Sequence, residues 1–176
     1  KKIIDICAAP GGKAFQLLSN NLVILNDISK KRILKLKANL SRLNFNTEIN
    51  NVNALDLNEK TKYDIVIVDS PCSSIGTIRR HPEILFRSRK PNFEQLNKLQ
   101  NNLLKKSSKL VKKNGMIIYM VCSFFYSETI EIIKKFLNEN KNFSIEKYNS
   151  KSDLLNIGYL IAKEGYFLTV PTKYKN

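Results

Sequence analysis

Short apolar runs rich in β-branched residues alternate along this chain with stretches of helical periodicity. Ile3 to Ile6, Leu22 to Leu25, Tyr63 to Val68 and Gly115 to Val121 read as buried strands, with a weaker strand over Glu48 to Val52 and a sixth over Phe143 to Tyr148. Between them, residues 14–20 predict a first helix. Ser29 caps a second, in which Ile33, Leu36, Leu40 and Leu43 keep helical spacing. A third starts near Asn92 and turns Leu96, Leu99, Leu103, Leu110 and Val111 inward, and Ile130, Ile133 and Leu137 mark a fourth. Two short apolar runs around Glu164-Gly165, within residues 157–171, have the pattern of a hairpin. Such alternation predicts an α/β fold, a doubly wound, mostly parallel Rossmann-like sheet with helices on both faces. The 176 residues suffice for one domain, taken as 1–176. It starts on a strand and stops without a closing element, as a piece of a longer protein would.

The strand ends carry the most specific chemistry. One strand runs into Asp69-Ser70-Pro71-Cys72 and another into Val121-Cys122-Ser123, with one helix between them. Parallel neighbours joined in this way lie about 4.8 Å apart, so both thiols leave the sheet at the same end. That end is where open α/β sheets bind ligands, which points to chemistry through sulfur. Cys7, in the turn after the first strand, reads as a small buried hydrophobe. Three cysteines without a Cys-x-x-Cys pair, and a single His, provide neither zinc-ligand spacing nor a disulfide framework. No metal, a reducing, cytoplasmic setting and no membrane are therefore expected, since no apolar run approaches the roughly 18–20 residues of a membrane span.

Charge narrows the partners. Thirty Lys and Arg against 15 acidic residues give a net charge of +15, which favours a polyanion such as nucleic acid. Residues 70–92 form a long loop of the length that is usually functional in compact domains. Arg79 and Arg80 in it suit phosphate contacts, and His81 suits either RNA or packing on Pro82. Pro10-Gly11-Gly12-Lys13 leads into a helix whose N-terminus offers free N–H groups to an anionic end. It matches neither the Gly-x-Gly-x-x-Gly fingerprint nor a P-loop. Asp27, ending the second strand, can grip a ribose diol or serve as a helix N-terminal acid. Asn53, after the third strand, suits an adenine edge or a turn.

Taken together, Asp5-Ile6-Cys7-Ala8-Ala9-Pro10-Gly11-Gly12-Lys13, Asp69-Ser70-Pro71-Cys72 and Val121-Cys122-Ser123 resemble the S-adenosylmethionine-dependent RNA cytosine-5 methyltransferases of the Sun/Fmu/NOL1 family. The run Gly76-Thr77-Ile78-Arg79-Arg80-His81-Pro82-Glu83-Ile84 looks like the bacterial 16S ribosomal RNA (RsmB-like) branch. The resemblance implies that Cys7, Ala8, Ala9, Pro10, Gly11, Gly12 and Lys13 hold the methionine and ribose parts of S-adenosyl-L-methionine. It gives Asp27 the ribose hydroxyls and Asn53 a place beside the adenine, and sets Asp69 between cofactor and base. Cys122 would be the nucleophile and Cys72 the thiol that assists release, with Arg79, Arg80 and His81 on the RNA. The implied enzyme is a monomeric 16S rRNA methyltransferase. Its N-terminal RNA-binding region is absent here, and so is a final antiparallel strand expected just after Asn176.

Several positions depart from the family pattern. Ala14 and Val121 each replace a Thr, Ser74 and Ile75 replace Gly and Thr, Thr129 replaces Asn, and Asn53 replaces Asp. A transfer RNA substrate, a non-catalytic RNA-binding relative and a nucleotide-dependent oxidoreductase remain as alternatives. The missing dinucleotide fingerprint speaks against the last.

Overall fold

Five strands, β1 (Lys2–Asp5), β2 (Leu22–Asn26), β3 (Ile49–Asn50), β4 (Tyr63–Asp69) and β5 (Val111–Met120), pair in parallel in the order β3-β2-β1-β4-β5. A computed structural model describes residues 1–146, 159–161 and 166–169 of the chain. From β1 the chain steps outward to β2 and β3, then returns to the other side of β1 for β4 and β5. The direction reverses between β1 and β4, and a crevice at such a switch point is where this class of sheet places ligands.

Helices follow from the same handedness. α1 (Lys30–Arg42) joins β2 to β3, and α2 (Phe93–Leu110) joins β4 to β5 in the opposite direction, so right-handed crossovers put them on opposite faces. On one face Ile3, Val23, Leu25 and Ile67 pack with Ile33, Leu36 and Leu40 of α1. Alternating with them, Ile4, Ile24, Val66 and Val68 are buried on the other face, where α2 meets β4 and β5 and buries Leu103, Leu104 and Leu110. Both helices start where the sequence places them, at the expected cap Ser29 and at Asn92, which also proves to be a cap. Ser29 accepts from Arg32 N at 3.3 Å and Asn92 from Gln95 N at 3.0 Å.

Several boundaries differ from the sequence reading. Residues 14–20 do not form a full helix: a 3₁₀ turn covers Ala14–Leu17, and Phe15, Leu17 and Leu18 all pack against the core. Apolar residues so close together fill the space under the loop in one turn, leaving the polar Ser19-Asn20-Asn21 to lead into β2. Leu43 is the C-cap of α1 and 40% exposed. Val111 is buried but belongs to β5, which starts four residues before the apolar run and includes the polar Lys112-Lys113-Asn114. There the pairing shifts from Tyr63–Val111 to Ile65–Met116, an irregularity at which Asn114 takes φ 61°. β3 shrinks to two residues. No strand forms over 143–146, where Phe143 N bonds instead to the Asn140 carbonyl, and 147–148 lie outside the described residues.

Two compact units divide the chain, Lys1–Phe136 and Leu137–Asn176. α3 (Ile130–Glu139) buries Ile132 and Phe136. In the second unit β6 (Tyr159–Ile161) and β7 (Phe167–Thr169) pair antiparallel, the expected hairpin. Among the described residues no helix is long and apolar enough to cross a membrane, and no cluster of three or more His, Cys, Asp or Glu could hold a metal.

Candidate active site

The C-terminal ends of β1, β2, β4 and β5 bring the sequence motifs to one edge of the sheet. Leaving β1, residues 7–13 are fixed by a series of backbone bonds. Ala8 N donates to Asn26 O at 2.8 Å, Ala9 N to the Asp27 carboxylate at 3.2 Å, and Asn39 of α1 to Pro10 O at 3.1 Å. Gly11 has φ +108°, and a Cβ there would lie 2.0 Å from the Phe15 ring, so both backbone and packing demand glycine. Around Gly12 no atom comes within 4 Å of where a Cβ would stand, which leaves its backbone open to a ligand. Lys13 reaches across the switch point to an ion pair with Asp69, the last residue of β4.

Acidic side chains crowd the floor of this loop. Asp5 is 1% exposed; its Oδ1 accepts from Cys7 N at 3.1 Å while its Oδ2 is buried without a partner. Burial, reinforced by Asp69 and Asp27, pushes its carboxyl up to about 7 against the pull of Cys7 N–H and Lys13. The same burial, with Asp5, Asp27 and Asp69 nearby, pushes the Cys7 thiol up to about 12. Asp27 stands at the end of β2 as expected, but its side chain is enclosed. Besides Ala9 N, it accepts from Ser29 N at 2.8 Å and Arg32 Nη2 at 2.9 Å. Asn53 is exposed and caps the short turn at Ala54–Asp56, accepting from Leu55 N at 3.1 Å.

At the tips of β4 and β5 the two expected thiols meet. Asp69 pairs with Met120 in register, so Cys72 and Cys122 follow three and two residues beyond paired positions. Their Sγ atoms are 3.4 Å apart, Cys72 half-buried and Cys122 exposed. A hydrogen bond from Cys72 holds Cys122 down to about 6, helped by Ser74 and opposed by burial and Asp69. The same bond and burial push Cys72 far up, so this pair divides into one thiolate and one thiol at neutral pH. Ser74, where the family pattern has Gly, sits at φ 62°, the left-handed region. Gly76 N donates to Cys122 O at 3.0 Å, and a Cβ on Gly76 would already touch that carbonyl.

Behind the thiols lies a buried polar cluster that sequence reasoning missed. Glu128, fully buried, accepts from Ser73 N at 2.8 Å, Ser73 Oγ at 2.6 Å and Gln100 Nε2 at 3.2 Å. Its one sequence signal is Gln100, a polar side chain on the inward face of α2 between Leu96 and Leu103. Arg79 and Arg80 are exposed, as is His81, whose Nδ1 lies 3.0 Å from Glu83 Oε1 rather than being spent on packing. Arg87, in the same loop, donates to Ser73 O at 3.0 Å and ties the loop to the cysteine turn.

Known proteins resemble this chain in sequence and fold. The ribosomal RNA small subunit methyltransferase B of Photorhabdus laumondii is 34% identical over 148 residues, 81% of this chain and 34% of its own length. That of Shewanella oneidensis is 31% identical over 165 residues, 90% of this chain and 39% of its own. The chain thus spans little more than a third of the curated relatives it matches. Among solved structures, that of NSun6 from Pyrococcus horikoshii with SFG superposes with a TM-score of 0.74 at 25% identity, covering 85% of this chain and 40% of that one. The family model described as 16S rRNA methyltransferase RsmB/F matches residues 1–170, and the chain belongs to that family.

Proposed function

We propose that this chain is the catalytic part of an S-adenosylmethionine-dependent RNA cytosine-5 methyltransferase, acting on 16S ribosomal RNA. The observation that carries the reading is the 3.4 Å pair of Cys72 and Cys122, poised as thiol and thiolate beside Asp69 at the switch point. The names of the relatives and the SFG-bound neighbour, SFG being an S-adenosylmethionine analogue, support it.

The loop above β1 fits such a cofactor. Its open Gly12 backbone, the orphaned buried Asp5 Oδ2 and the Lys13–Asp69 pair offer donors and acceptors to a zwitterionic amino acid end. Cys7, Ala8, Ala9, Pro10, Gly11, Gly12 and Lys13 would hold the methionine part, Asp27 the ribose and Asn53 the adenine side. Arg32, half exposed, is the Asp27 partner that can swing away and leave Oδ1 to a ribose hydroxyl. When bound, the cofactor supplies an electrophilic methyl group on a sulfonium centre.

Cytosine C5 is too weak a nucleophile to accept that methyl directly. Cys122, as thiolate, adds to C6; the S–C6 bond forms and the electron pair moves to make C5 an enamine-like carbon. Asp69 hydrogen-bonds the N3–N4 edge of the base and holds it in place as charge moves into the ring. A group preorganised in this way is worth roughly 3–4 kcal/mol. Release requires loss of the C5 proton and breakage of the S–C6 bond. Before addition, its bond to the Cys122 thiolate is the largest influence keeping Cys72 protonated. Once Cys122 is bonded to carbon that charge is gone, so Cys72 can give its proton to solvent and, as thiolate, accept the C5 proton while the S–C6 electron pair returns to the Cys122 sulfur. Arg79, Arg80 and His81 face the RNA backbone from the adjoining loop.

Labelled S-adenosylmethionine, incubated with the full protein and either 16S ribosomal RNA or transfer RNA, tests this. Label on cytosine C5 of the ribosomal RNA, lost in Cys122→Ala by on the order of 10⁴-fold or more, is expected. Label on transfer RNA alone overturns the substrate, and undiminished transfer by Cys122→Ala overturns the mechanism.

A further inference from the structure

The residues that flank both thiols converge on one buried carboxylate. Pro71 and Ser73 stand on either side of Cys72, and Ser123 follows Cys122. Gln100 Nε2 donates to Pro71 O at 3.0 Å and to Glu128 Oε1 at 3.2 Å, so both amide hydrogens are used. Ser73 gives Glu128 both its N–H and its hydroxyl, at 2.8 and 2.6 Å. With that hydroxyl proton directed at Glu128, the contact of 3.2 Å between Ser73 Oγ and Ser123 Oγ runs from Ser123 as donor. Ser123 Oγ in turn accepts from Phe125 N at 3.2 Å. Glu128 is itself anchored, because Tyr119 of β5 donates its hydroxyl to the Glu128 carbonyl at 2.9 Å. A single side chain thus joins the turn after β4, the turn after β5 and the inward face of α2.

We infer that Glu128 is a positioning residue that holds the turn bearing Cys72 against the turn bearing Cys122. It touches no reacting atom, and its effect passes through Ser73 and Ser123. A carboxylate suits the site because every partner at its oxygens donates: one backbone N–H, one hydroxyl and one amide NH₂. An amide with its oxygen toward Ser73 N and Gln100 would put its NH₂ on Ser73 Oγ, and that hydroxyl would have to turn its proton from residue 128 to Ser123, reversing the link between the two turns. Gln100 shows the same constraint from its side, since its Oε1 is buried without a partner while its nitrogen serves the carboxylate. Misplacing reacting groups by about 1 Å costs on the order of 10²-fold in rate.

This inference rests on the proposed reaction, but part of its test does not. The full protein, as wild type, Glu128→Gln and Ser73→Ala, is first checked by thermal melting, so that folded variants are compared. Alkylation of Cys122 by iodoacetamide is then followed across pH, read by the mass of its peptide, without RNA or cofactor. Besides Cys72, the groups that act on Cys122 are Ser74 and Asp69. In folded Glu128→Gln the half-point of Cys122 alkylation is expected to move up by at least one pH unit, about a tenfold loss of thiolate below it. Ser73→Ala is expected to shift it in the same direction by less. Methylation turnover should fall by about 10²-fold with the RNA concentration for half-maximal rate within about threefold. An unchanged half-point and unchanged turnover in a folded Glu128→Gln overturns the positioning role. A wild type that transfers no methyl overturns the functional reading instead, and the alkylation half-points still decide the role of Glu128.

Discussion

Cys7 follows the buried central strand β1 and Cys122 the half-exposed edge strand β5 of the same parallel sheet, at the same end, and their chemistry is opposite. Cys7 lies over Asp5 with Asp27 and Asp69 near, and burial first and those carboxyl groups second push it up to about 12. Cys122 has Asp69 near it too, yet the hydrogen bond from Cys72 outweighs that charge and holds it near 6. Position at a strand end therefore does not make a nucleophile; one donor directed at the sulfur does. The side chains that lower Cys122 are neutral, the Cys72 thiol and the Ser74 hydroxyl.

Removing the donor is the largest test of this contrast. In Cys72→Ala the half-point for Cys122 alkylation should rise from about 6 toward the ordinary 9.0, while Cys7 stays unreactive at neutral pH. At pH 6 that is a loss of thiolate on the order of 10²–10³-fold. Peptide-resolved alkylation checks both cysteines in one experiment, and a Cys72→Ala protein still reacting at pH 6 would assign the low value to another cause. On the Cys7 side, Gly11→Ala forces a Cβ into the Phe15 ring at a positive φ. Strain of about 1–3 kcal/mol, plus the cost of displacing Phe15, should lower the melting temperature and weaken cofactor binding. Calorimetry with and without S-adenosylmethionine separates the two effects.

A smaller effect belongs to Asp5. Its folded-state value of about 7 lies above the ordinary 3.8, so its contribution to stability is complete below 3.8 and is lost as pH rises through about 7. Wild type should therefore lose more stability between pH 5 and pH 8 than Asp5→Asn, which does not titrate. Melting curves of the two proteins at both pH values measure the difference, and equal losses would mean that Asp5 is ionised throughout. Smallest of all, Ser74→Gly should gain about 1 kcal/mol by relieving its left-handed backbone, yet raise the Cys122 half-point by removing the hydroxyl. A variant that is more stable but less reactive at pH 6 is the expected result.

Much of this site was legible in the sequence, for definite reasons. The runs 63–68 and 115–121 are apolar enough to specify two parallel strands, and parallel pairing alone brings Cys72 and Cys122 to one edge. Ser29 announced its helix because a cap acts within three residues. What sequence could not reveal depends on contacts across long separations. Glu128 meets Ser73 from 55 residues away and Gln100 from 28, with no periodicity linking them. Asp27 was legible as a strand-end acid, but not its enclosure by Ala9, Ser29 and Arg32. The start of β5 was hidden because Lys112, Lys113 and Asn114 are polar residues on an exposed edge strand.

The division of roles between the two thiols is tested most directly by trapping the covalent intermediate. Full-length protein carrying Cys72→Ala is incubated with S-adenosylmethionine and 16S ribosomal RNA, at a pH high enough to ionise Cys122, and run on a denaturing gel. A slow-migrating protein–RNA adduct that disappears when Cys122→Ala is added is the predicted result. An adduct that survives the loss of Cys122, or no adduct where the wild type methylates normally, would contradict it.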